Sequence, residues 1–235
     1  FQHEFMIRAL VASLLVGIMC PVIGSYVVTR RLAFMGDALS HAIMPGLVGG
    51  FLIGISPFAG AIPVGVAVAL LVGFLSRRTG VSEDTMIGIL FAGMFALGLT
   101  MLTMAKGMPV ELEDILLGQV LAVSTVDLYV TLGLAVGVVS VLTLLHKELV
   151  FTSFDPIGAT VGGIPTGALD YTLLIVLAIV IVLAVQAVGV VLVMAMLVTP
   201  AATAYLMVRG FVPLMAVSAL LGIVSAIAGL YLSFY

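Results

Sequence analysis

Hydrophobic positions in this chain run in long stretches, separated by short breaks that carry charges, glycine or proline. A helix needs roughly 17–25 mostly apolar residues to cross a bilayer. Eight stretches meet that length: about 5–28, 36–54, 58–75, 85–104, 127–145, 170–187, 189–208 and 211–233. The third begins after the break Ser56-Pro57, and the sixth and seventh are separated only by Gln186 and Gly189. The run 171–208 is too long for one span and too hydrophobic for a long loop, so a tight hairpin is expected within it. The pattern predicts an all-α polytopic transmembrane bundle, with 1–235 as a single domain.

The breaks also give an orientation. With odd helices running inward, the loops on one side hold Arg30, Arg31, Arg77, Arg78, Lys147 and Arg209, against Arg8 and Lys106 on the other. The side richer in cations is cytoplasmic by the positive-inside rule. Both termini are then expected outside and the loop 146–169 inside. The outer loop 105–126 carries Glu111, Glu113 and Asp114 followed by an apolar run, and is expected to lie partly helical along the outer surface. Its plain reading is a solvated loop; its functional reading is a local field that guides cations into the mouth.

Composition fits this picture and removes others. The chain is 63% hydrophobic and 8% charged, with a mean hydropathy of +1.41, where a soluble domain has about 25% charged residues. So few charges cannot cover a soluble surface, and a net charge of −3 gives no case for nucleic-acid binding. The single cysteine, Cys20, lies in the first stretch, cannot form an internal disulfide and reads as a small buried residue. No initiator methionine and no cleavable signal pattern is present, so a trimmed N-terminus is expected. Gly46, Gly49, Gly50, Gly54, Gly88, Gly93 and Gly98 fall along the second and fourth stretches and are expected to let helices approach closely.

An ionisable residue at the centre of a membrane helix costs about 2.5–3.5 kcal/mol on insertion scales, so each one in a predicted span is a candidate. Asp127 and Asp170 stand at helix starts and read as caps on free N–H groups. Asp37 has the same alternative, six residues after Arg31. His41 lies a full turn into the helix and has no capping role. Asp37 and His41 are four apart and share one helical face. A carboxylate oxygen and an imidazole nitrogen suit zinc, manganese or iron(II).

Two ligands are too few for a tight site. A symmetric dimer whose second helices met at the two-fold axis would supply two aspartates and two histidines. Such a site strips water yet releases its ion. Pro45 frees a backbone carbonyl and permits a kink beside it. His146, next to Lys147 and Glu148, reads as an interfacial residue, and Met35 and Met44 as packing. The sequence holds no Gly-x-x-x-x-Gly-Lys-Ser/Thr loop, no Gly-x-Ser-x-Gly elbow and no chain of charges through successive helices. If transport is active, its energy source lies on another polypeptide.

Three blocks resemble the membrane permease subunits of bacterial ABC importers for zinc, manganese and iron. The first runs from Arg30 to Gly46, with Met35-Gly36-Asp37-Ala38-Leu39-Ser40-His41 at its centre. The second is Ser153-Phe154-Asp155-Pro156 followed by Gly163-Ile164-Pro165. The third is Gln186-Ala187-Val188-Gly189 leading into Leu197-Val198-Thr199-Pro200-Ala201-Ala202-Thr203-Ala204.

The resemblance implies a bundle like the type II importer permeases, working as a homodimer or heterodimer. It implies two cytoplasmic ATPase subunits and an extracytoplasmic metal-binding protein as partners, in a bacterial inner membrane. Asp37 and His41 would contact the transported Mn2+, Zn2+ or Fe2+, with no permanently bound cofactor. Asp155, Pro156, Gly163 and Pro165 would belong to the helix that docks on the ATPase, and the prolines suit a helix of one to two turns. Family members continue past Tyr235 with another hydrophobic helix, so truncation at both termini is expected. The competing class is a self-contained carrier or channel for divalent metals, and the absence of further intramembrane charges argues against proton coupling.

Overall fold

The computed structural model describes residues 4–104 and 125–234. Among them the regular structure is helical throughout: α1 (Glu4–Thr29), α2 (Ala33–Ala42), α3 (Met44–Leu52), α4 (Pro57–Thr79), α5 (Glu83–Met104), α6 (Thr125–Leu144), α7 (His146–Phe154), α8 (Pro156–Val161), α9 (Thr166–Met207) and α10 (Phe211–Phe234). The outer segment expected to be partly helical at 105–126, with Glu111, Glu113 and Asp114, lies outside the described residues as far as 124, as does the side chain of Asp127.

Helix boundaries follow local chemistry. Pro57 occupies the first turn of α4, where its missing N–H has no partner to lose. Gly80 ends that helix with φ 70°, and Arg77 and Arg78 sit in the last turn, where cations meet the negative end of the helix dipole. Glu83 and Asp84 open α5 at its positive end.

Of the eight expected spans, not every one is a single long helix. Among the described residues, five helices are long and apolar enough to cross a membrane, or six when α6 and α7 count as one bent span. The second predicted stretch is broken at Ile43 into α2 and α3, with Pro45 in the first turn of α3. Pro45 has no N–H to give the carbonyl of His41 one turn back. The sixth and seventh stretches run together in α9, whose non-helical residue is Gly189 (φ 79°, ψ 165°).

Packing shows what Gly189 does. Tyr171 and Leu174 lie against Gly73, and Ala178 and Val182 against Gly65, so the first half of α9 follows α4 away from Arg77. After Gly189 the chain comes back. Leu197 lies against Gly24 and Gly36, and Phe211, just past the end of α9, packs its ring 4.6 Å from that of Tyr26. The reversal is needed, since a straight helix of 42 residues would reach about 63 Å, twice a hydrocarbon core of roughly 30 Å.

The core lies where α9 meets α1 and α4. Ile23, Tyr26, Met35, Leu47, Leu177, Ile181 and Leu197 are all fully buried. Gly24 makes the tightest approach, because a Cβ there would run into the backbone carbonyl of Leu197. Gly88 and Gly93 behave differently: a Cβ at either would meet nothing within 4 Å, so the close packing expected of them is not made within this chain.

Candidate metal centre

The site is built on α2. Its inner face is close-packed: Met35, Gly36, Ala38, Leu39, Ser40 and Ala42 are buried, and Gly36 lies directly under Leu197 and Met194 of α9. Ser40 returns its hydroxyl to the carbonyl of Gly36 at 2.8 Å, so its polar group is spent within the helix. Small residues on this face bring α2 onto α9, and the 3.6-residue period then turns Asp37 and His41 to the other side.

Oδ1 of Asp37 stands 3.6 Å from Nε2 of His41, with the side chains 35% and 22% exposed. That is too long for a hydrogen bond. Neither side chain is hydrogen-bonded to the other, and both are partly exposed. The capping alternative for Asp37 is removed, because α2 begins at Ala33 with Leu32 as its cap residue. Among the described residues no group of three or more His, Cys, Asp or Glu side chains gathers around a common point.

α5 supplies a feature that spacing does not reveal. Phe91 and Phe95, one turn apart, stack at 5.9 Å and place their ring centres 5.6 and 5.4 Å from that of His41. Phe34 meets Phe91 edge-on at 6.5 Å. The imidazole therefore stands against an apolar wall that restricts its rotation and leaves its Nε2 edge toward Asp37.

The second predicted set lies at the end of the bundle that carries the arginines. Asp155 caps α8 by accepting the N–H of Gly158 at 2.8 Å, and Pro156 follows in the first turn. Gly163 takes φ 79° as the chain leaves α8, with its N–H given to the carbonyl of Thr160 at 3.1 Å. Pro165 opens α9. The result is a six-residue helix held at both ends, with Ile157 and Val161 on one face, 77% and 85% exposed. Asp155, Pro156, Gly163 and Pro165 all lie outside α2.

One sequence reading is corrected here. Asp170 is not a cap: α9 starts at Thr166, and Asp170 lies one turn inside, where it accepts from Nη1 of Arg30 at 2.6 Å and pairs with Arg77 of α4. His146, expected at the interface, has its Nδ1 3.0 Å from the Tyr26 hydroxyl and packs its ring on Phe211. Arg30 also donates to Ser153 and Thr152, at 2.8 and 2.9 Å. A polar cavity of about 350 Å³ lies beside this cluster, with Arg30, Arg31, Glu83 and Asp170 in its wall. Only the position of Asp170, a lone carboxylate inside the first turn of an apolar stretch, hints at it in the sequence.

The described helices, five of them long and apolar enough to cross a membrane, make a multi-pass bundle. The description of the ABC 3 transport family matches residues 2–235, and the chain belongs to that family. The manganese transport system membrane protein MntC of Halalkalibacterium halodurans is 46% identical over 99% of this chain and 80% of its own length. The chelated iron transport system membrane protein YfeD of Yersinia pestis is 39% identical over 100% of this chain and 79% of its own. Among solved structures, PsaBC from Streptococcus pneumoniae in complex with Fab superposes with a TM-score of 0.88 at 34% identity, covering 99% of this chain and 84% of that one. The chain is a metal-transporting ABC permease, a multi-pass protein of the bacterial inner membrane.

Proposed function

We propose that this chain is the membrane subunit of an ATP-driven importer of divalent transition-metal ions, with manganese as the first candidate and iron or zinc as alternatives. The observation that carries the reading is the Asp37–His41 pair, 3.6 Å apart, partly open, and without a third ligand among the described residues. Two chains meeting at a two-fold axis would complete it with two oxygens and two nitrogens. Such a mixed shell accepts manganese, iron(II) and zinc, so geometry and metal supply set the choice. The names of MntC and YfeD, manganese and chelated iron systems, support that order.

In this mechanism an extracytoplasmic metal-binding protein delivers the ion to the outer mouth. Asp37 and His41 of both protomers replace part of its water. ATP hydrolysis on separate cytoplasmic subunits then alternates access. The segment 146–169 within the single 1–235 domain receives that motion, through Asp155, Pro156, Gly163 and Pro165. Ile157 and Val161 support this role, because a short capped helix with two exposed apolar side chains is suited to fill a pocket on a partner.

The test is uptake of radiolabelled Mn2+ by the reconstituted complex, with unlabelled Zn2+ and Fe2+ as competitors. ATP-dependent uptake that disappears in an Asp37→Ala/His41→Ala variant is expected. Normal uptake by that variant would sink the site, and uptake by the permease alone would favour a self-contained carrier.

A further inference from the structure

Asp37 and His41 lie on a different element from the segment proposed to face the ATPase, and among the described residues Arg30 ties together the elements that lead to each. The guanidinium of Arg30 is 12% exposed and spends all three of its nitrogens. Nε donates to Ser153 Oγ at 2.8 Å, Nη2 to Thr152 Oγ1 at 2.9 Å and Nη1 to Asp170 Oδ1 at 2.6 Å. The two hydroxyls are themselves fixed, since Thr152 and Ser153 donate to backbone carbonyls of α7 at 2.9 and 2.6 Å. The other oxygen of Asp170 takes Arg77. One carboxylate thus joins α1, α4 and α9, and one guanidinium adds α7.

Little slack lies on either side of this joint. Toward the ATPase side, only Asp155 separates α7 from α8. Toward the metal, Arg30 is followed by a closed turn: Arg31 holds φ 61°, its N–H bonds to Val28 at 3.1 Å, and that of Leu32 bonds to Val27 at 2.8 Å. α2 begins at Ala33 and carries Asp37 and His41. The Tyr26–His146 contact pins α7 to α1 a second time.

We propose that Arg30 and Asp170 are positioning residues for transport: they clamp α7, and with it α8, to the turn that carries α2, so that α8 and the metal helix move as one body. This rests on reading 146–169 as the ATPase-facing segment. The chemistry suits the task. A planar fork binding a carboxylate and two hydroxyls fixes direction as well as distance. Asp170 also separates two guanidiniums that would otherwise face each other, so its charge holds α1 and α4 together at this end.

The test uses the complete complex of permease, ATPase and binding protein in proteoliposomes, with Mn2+ uptake and ATP hydrolysis measured in the same vesicles. Asp170→Asn keeps the shape and removes the charge; Arg30→Lys keeps the charge and removes the fork. Each is expected to lower Mn2+ carried per ATP by about tenfold, within the range seen for broken coupling contacts. Asp170→Glu, which retains the carboxylate, should hold the ratio near wild type. If one variant fails to assemble, the other carries the measurement.

A second readout is independent of transport. In a Cys20→Ala background, spin labels at Phe34→Cys on α2 and Lys147→Cys on α7 should give one distance with and without trapped nucleotide. In Asp170→Asn that distance should change with nucleotide. Unchanged ratios in both variants, or uptake and hydrolysis falling together with a fixed label distance, overturn the clamp. A wild-type complex that takes up no Mn2+ on addition of ATP would instead overturn the proposed function, and the label distance would still decide the clamp.

Discussion

Oδ1 of Asp37 and Nε2 of His41 face each other across 3.6 Å, one helical turn apart, with no hydrogen bond between them. Under the proposed function both side chains would reach the same ion. Asp37→Ala and His41→Ala are therefore expected to reduce Mn2+ uptake at least about tenfold each, the lower bound of effects seen when even supporting residues of a metal site are lost. The inner face of α2 stays packed, so both variants should insert and accumulate normally. Uptake assays paired with membrane immunoblots check this.

Phe91 and Phe95 form the wall behind His41. Phe95→Ala removes one side of it and lets the imidazole rotate. Both phenyl rings are only half-buried, so the stability loss should be about 1–2 kcal/mol, below the 3–5 of a full core Phe→Ala. Uptake should fall several-fold more than thermal stability in detergent explains. Phe95→Leu, which restores apolar volume, should recover stability and only part of the uptake.

Glycines in this chain divide into two kinds, and substitution separates them. Gly24→Ala drives a Cβ into the carbonyl of Leu197. It should cost about 1–3 kcal/mol as overpacking, seen as a lower melting temperature. Gly88→Ala meets open space within the chain. It should be neutral or gain up to about 1 kcal/mol from helix propensity, and a large loss there would mean that another chain covers this face.

Asp155→Ala removes the cap of α8 and should cost about 1 kcal/mol locally. Gly163→Ala forces a side chain into φ 79°, at about 1–2 kcal/mol. Both changes lie away from the metal pair. Metal binding should persist while transport uncouples, and hydrolysis should lose its dependence on metal. Hydrolysis that stays fully metal-dependent in Gly163→Ala would count against the coupling role.

The parts legible in the sequence are those written in consecutive residues. Long apolar stretches mark the helices, Asp37 and His41 mark a face, and Asp155-Pro156 with Gly163 and Pro165 mark both ends of α8. Pro45 signals the break at Ile43. The bend of 65° between α6 and α7 falls at Leu145, with no proline or glycine to announce it. The Arg30–Asp170–Arg77 cluster draws on residues far apart in the chain, and no local period encodes it. In lipid an apolar face and a packed face read alike, so a hydrophobic pattern cannot say which residues of α5 turn toward His41. The phenyl wall was hidden for that reason.

The incompleteness of the Asp37–His41 pair also has a genetic side. On the dimeric reading, ion affinity is shared by two copies of the gene product. A cell that makes equal amounts of wild-type and ligand-less chain would assemble roughly a quarter of its dimers with a full set of ligands, if pairing is random. Ligand-loss alleles of this permease should therefore behave as dominant, whereas alleles that merely unfold the chain should be recessive.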